Sequence, residues 1–120
     1  SNEKQMNIEN IREYCLSKQE VTEGCPFGDD NIVFKVCDKM FVLLSLDEPW
    51  INLKCYPEKA IELREKYVDI VTPGYHMNKA LWNSVQFEEI SDKLLKEWID
   101  ESYQLVVDKL PKKYRQLFNK

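Results

Sequence analysis

Three short runs of alternating residues, set close together between turn formers, constrain this chain more than any other feature. Ile32, Phe34 and Val36 alternate with Val33, Lys35 and Cys37, an apolar run follows over 40–46, and alternation returns over 50–55. A period of two suits strands with one better-buried face. Asp38 and Lys39 separate the first two runs, and Asp47, Glu48 and Pro49 separate the next pair. The spacing predicts a three-stranded antiparallel meander whose first turn is a tight hairpin, although the usual glycine for positive φ is absent there.

Helical periodicity frames the meander. Asn7 is a suitable cap for Ile8, Ile11 and Cys15, which predicts a helix ending near Ser17. Residues 20–30 begin extended and meet Pro26 and Gly28, which predicts a short strand and a loop. Pro57 fits a first helical position, and Ala60, Ile61, Arg64, Tyr67 and Val68 recur at helical spacing, so a second helix covers the sheet. Pro73 and Gly74 break the chain before a further strand over 81–85. Ser91 caps a long helix lined by Leu94, Leu95, Trp98, Ile99, Ser102, Leu105, Val106 and Leu110; Pro111 stops it, and 112–120 form a basic tail.

Ser1 and Asn2 read as the remnant of a cleaved tag, so 1–6 are set aside as a flexible N-terminus and 7–120 are taken as one domain. With no repeat or linker to divide these elements, the fold class predicted is α+β, an antiparallel sheet with helices packed on one face. At 120 residues and 43% hydrophobic the chain is long enough for one core. Its 17 basic and 21 acidic residues leave a net charge of −4, which opposes indiscriminate attraction to phosphate, so any nucleic-acid surface must be a local patch. Cys15, Cys25, Cys37 and Cys55 form no C-x-x-C pair, which argues against zinc and for reduced, packed thiols in the cytoplasm. No apolar signal segment or membrane-spanning run is expected, nor any cofactor.

Pro26-Phe27-Gly28, Val33-Phe34-Lys35-Val36, Lys39-Met40-Phe41, Leu53-Lys54-Cys55, Arg64-Glu65-Lys66-Tyr67, the block from Pro73 to Lys79, Trp82-Asn83 and Tyr103-Gln104-Leu105-Val106-Val107 occur in the order found in the MmcQ/YjbR family, and the chain resembles that family over nearly its whole length after Met6. The resemblance implies a fold like that of CyaY, the bacterial frataxin, and a double-wing mode of DNA binding. The sequence departs from the family pattern at Asp38 and at Ala80-Leu81, where smaller or more basic residues are usual.

Residues 71–87 hold no carboxylate and offer Lys79 as a cation, Tyr75 and Trp82 as stacking faces, and His76, Asn78 and Asn83 as hydrogen-bonding groups. These residue types suit nucleic acid, because lysine neutralises phosphate, aromatic faces stack on bases and asparagine reads base edges. Lys35, Lys39 and Lys54 can add charge along the hairpin wings. The competing reading has Pro73 and Gly74 shaping a turn, Tyr75, Met77 and Trp82 packing, and the asparagines satisfying loop backbone, with the lysines merely solvated.

No catalytic residue is singled out. His76 is the lone histidine, and no spacing joins it to a nucleophile and an orienting group. Asp29 and Asp30, with Glu9 and Glu13 beside Arg12, are too few for an oxygen-rich metal surface. The reading is a small non-enzymatic DNA-binding domain using Tyr75, His76, Asn78, Lys79, Trp82 and Asn83 with Lys35, Lys39 and Lys54. The alternatives are a protein-interaction module with an aromatic surface patch and a small-molecule pocket between the sheet and the loop from Pro73 to Asn83.

Overall fold

The computed structural model describes residues 6–118, so Ser1, Asn2 and Lys120 lie outside the described residues. Helix α1 (Ile8–Leu16) is capped by Asn7, whose side chain accepts from the backbone of Asn10 while Asn10 returns the bond, and Ser17 closes the helix. Strand β1 (Val21–Gly24) precedes the meander of β2 (Asn31–Val36), β3 (Lys39–Ser45) and β4 (Trp50–Lys54). Helix α2 (Pro57–Lys66), β5 (Val71–Pro73), β6 (Trp82–Gln86), helix α3 (Asp92–Asp108) and the short helix α4 (Lys112–Arg115) complete the order. The sheet runs β1-β2-β3-β4-β6-β5, every pair antiparallel. The fold is α+β, as the pattern predicts.

Four details differ from expectation. The hairpin turn falls on Cys37 and Asp38 rather than Asp38 and Lys39, with both residues at positive φ (47° and 66°). Both central positions of a type I′ turn demand that conformation, and asparagine-glycine sequences meet it more cheaply than this pair does. Strand β5 was not anticipated, because a three-residue edge strand ending in Pro73 is too short to show a period. Helix α2 buries Ala60 and Leu63 and leaves Ile61 exposed, and it ends at Lys66, so Val68 falls beyond it and is exposed. Met6, assigned by sequence to a flexible N-terminus, is buried in the core.

The register gives the sheet two unlike faces. Ile32, Leu44, Ile51, Val85 and Val71 are aligned across five strands, and Phe34, Val42 and Leu53 lie one step along. This face meets Ile11 and Cys15 of α1, Leu63 of α2, and Leu95, Trp98, Ile99 and Val106 of α3 in one core. An extra residue at Phe41 interrupts the β2–β3 pairing, since Phe34 is opposite Val42 but Lys35 is opposite Met40. Ser102 of α3 donates to the Phe41 carbonyl (2.6 Å) and accepts from the Lys54 amide (2.9 Å), serving backbone groups where the ladder stops.

The opposite face carries no helix from α1 to α3, yet Val33, Leu43, Asn52 and Ser84, which align across it, are all buried. The loop over 74–81 crosses that face and is fixed by side-chain hydrogen bonds. The Tyr75 amide donates to Ser84 Oγ (2.9 Å), Ser84 donates in turn to Asn52 Oδ1, and Asn52 Nδ2 donates to the Tyr75 carbonyl (2.9 Å). A buried asparagine and serine are tolerable there because each polar group has a partner.

Candidate functional site

Strand direction distributes charge along the molecule. The C-terminal end of β2, the start of β3, the end of β4, the start of β6 and the C-terminus of α3 all meet at one end of the sheet. Lys39 starts β3, Lys54 ends β4 and Lys109 follows α3, so sequence-distant lysines approach there. Lys54 is half-buried, and burial lowers its pKa first, with the positive charges of Lys109 and then Lys39 lowering it further. Its Nζ lies 6.0 Å from the Trp82 ring centroid, and Lys109 Nζ lies 5.8 Å from that of Tyr56, an exposed side chain. Among the described residues, neither these three lysines nor Lys35 and Lys79 form a salt bridge. Lys35 is opposite Met40 next to the same hairpin and faces the helix-free side with Lys54.

The other residues selected from sequence are placed differently. Trp82 is buried beneath Lys54 and presents little surface for stacking. Asn83 is buried on the helix side, where its amide donates to the Ala60 carbonyl and its Oδ1 accepts from Arg64 Nε at 2.7 Å. Asn78 Oδ1 accepts from the Ala80 amide and shapes the loop, while Lys79 Nζ donates to the Gly74 carbonyl at 3.2 Å. Tyr75 and His76 sit together, ring centroids 3.9 Å apart, beside a groove on the helix-free face. The nine candidates therefore separate: Lys35, Lys39, Lys54 and Trp82 gather at the lysine end, Asn78, Lys79 and Asn83 hold the loop, and Tyr75 and His76 line the groove.

Sequence reasoning missed Lys109 and Arg64. No local pattern singles out Lys109, and only α3 packing over β4 brings it to Lys54. Arg64 reaches from α2 to the Lys79 carbonyl, the Trp82 carbonyl (3.5 Å) and Asn83, tying the loop to the start of β6. Its helical spacing was visible, but its partners are fifteen or more residues away.

A family model described as YjbR matches residues 16–105. The chain belongs to the YjbR family. YbdF of Escherichia coli O157:H7 is 41% identical over 114 residues, covering 92% of this chain and 93% of YbdF. YjbR of Escherichia coli K12 is 32% identical, covering 93% and 97%. The crystal structure of Deinococcus radiodurans DR2400, described by the family domain DUF419, superposes with a TM-score of 0.86 at 31% identity, covering 94% of this chain and 88% of that one. A Pseudomonas syringae protein gives 0.73 at 30% identity, covering 83% and 98%. YjbR-family architecture thus accounts for the sheet and helices together, in agreement with the resemblance carried by the motifs.

Among the described residues no three His, Cys, Asp or Glu side chains group closely enough to hold a metal ion. Asp29 and Asp30 stay in the exposed turn after Gly28. No described helix is long and apolar enough to cross a membrane.

Proposed function

We propose that the chain binds DNA through the lysine end of its sheet, with Lys39, Lys54 and Lys109 contacting phosphates and Tyr56 offering an exposed ring for stacking. The observation that carries this reading is the approach of three lysines from three separate elements with no carboxylate partner among the described residues. Holding like charges together is unfavourable, and a polyanion relieves that repulsion while releasing counterions. Lys35 on the adjoining strand adds charge next to the same hairpin, and α4 carries Lys112, Lys113 and Arg115 shortly after Lys109 in the chain. The reading leaves Asn83 and Trp82 as structural supports, because buried groups with satisfied partners do not read base edges.

The test is binding of duplex and single-stranded DNA across a salt series. Three phosphate contacts predict a log–log slope of about −2.7 on duplex, and each of Lys39→Gln, Lys54→Gln and Lys109→Gln reduces it by about 0.9. No binding at low salt, or a slope unchanged in all three variants, sinks the proposal.

A further inference from the structure

A second site lies at the other end of the sheet, independent of the lysine cluster. A groove of about 570 Å³ opens on the helix-free face, floored by Leu43, Ser45 and Asn31. That volume is in the range of small-molecule sites. Trp50 and Tyr75 form one wall with their rings nearly perpendicular (73°, centroids 5.8 Å apart), and Phe27 stands among the lining side chains. Tyr75 is 55% exposed and Phe27 62% exposed, a large apolar area left facing water beside one cavity.

Three carboxylates, His76 and Tyr75 are the titratable groups of the lining. Asp30, Asp47 and Glu48 border the groove, and among the described residues neither lysine nor arginine lines it. None of the three carboxylates forms a salt bridge among the described residues; Asp30 accepts from Asn31 Nδ2 (3.0 Å) and Glu48 from Trp50 Nε1 (3.3 Å).

Carboxylates beside aromatic faces attract cations through charge and ring quadrupoles together. The carboxylates are too dispersed to form a metal-holding group. Carboxylate oxygens accept charge-assisted hydrogen bonds from N–H donors, which ammonium and guanidinium groups possess and quaternary ammonium lacks. We infer that this groove binds a small organic cation carrying N–H donors, an alkylammonium or guanidinium compound.

Agmatine and spermidine are titrated against the full chain by calorimetry and by NMR of the Trp50 indole N–H, with choline as the cation lacking N–H. The expected result is saturable binding that shifts Trp50 and Tyr75, with choline weaker. Asp47→Asn combined with Glu48→Gln, both exposed positions that leave the core untouched, weakens agmatine roughly tenfold or more, the scale of losing charge-assisted hydrogen bonds. The inference is overturned if neither amine shifts the groove residues at millimolar concentration, if the double variant binds unchanged, or if choline binds as tightly. An arginine-bearing peptide that occupies the groove where agmatine does not would also overturn it, in favour of protein docking.

Discussion

Replacing Ser84 by alanine should destabilise the protein well beyond the removal of one hydroxyl from a surface. Ser84 is buried and joins two groups that have no alternative: the Tyr75 amide donates to its Oγ, and its hydroxyl donates to Asn52 Oδ1, on a side chain with no exposure. Alanine leaves one donor and one acceptor unsatisfied, each costing about 1–3 kcal/mol when water cannot reach it. Tyr75 is at the edge of the loop and Asn52 is fully enclosed, so the first falls near the lower bound and the second near the upper, giving about 3–4 kcal/mol. For a domain of this size that lowers the Tm by about 10–15 °C. Urea denaturation measures the free energy directly, and hydrogen exchange at the Tyr75 amide reports whether the loop has loosened. In a double-mutant cycle with Asn52→Ala, the coupling should be about 1–2 kcal/mol, because each single change already strands the other group. A loss under about 1 kcal/mol with unchanged Tyr75 exchange would show that the loop is held by something other than this network.

Other substitutions test neighbouring parts of the argument. A β-carbon on Gly74 would sit 2.7 Å from Trp82 Cβ and 3.0 Å from its carbonyl oxygen, so Gly74→Ala should cost about 1–3 kcal/mol by overpacking, seen as a lower denaturant midpoint. Lys109→Gln should raise the pKa of Lys54, measured from its side-chain NMR titration, because a neighbouring positive charge is gone. Since folding depresses the Lys54 pKa, the native state releases that proton before the unfolded chain does, and stability rises as pH climbs from the folded value to that of a free lysine; the rise should be smaller in Lys109→Gln. Cys25 is exposed, whereas burial pushes Cys15 up to about 12, Cys55 up to about 11, and Cys37 upward. A thiol reagent at neutral pH should therefore modify one cysteine fast in the native protein and all four after unfolding.

Local patterns carried the elements. Alternation over 32–36 and 50–55, the Asn7 and Ser91 caps and the Pro57 start each act over a few residues, so the sequence alone determined the meander, the three main helices and an α+β domain. The family motifs were equally legible, because order and spacing survive without coordinates. Packing decided the rest. Positive φ at Cys37 and Asp38 was hidden because Cys37 is not a usual type I′ residue and Asp38 stands where glycine is usual, and the edge strand Val71–Pro73 exists only because β6 is there to pair with it. Asn78, Asn83 and Lys79 looked like ligand-binding groups from composition, but whether an amide is free depends on a partner such as Ala60 or Arg64 that only the fold supplies. The same holds for charge. Sequence counts lysines and carboxylates, but Coulomb interaction depends on separation; the antiparallel register brought Lys39 and Lys54 to one end and Asp30, Asp47 and Glu48 around the groove at the other, and the packing of α3 over β4 added Lys109 to the lysine end.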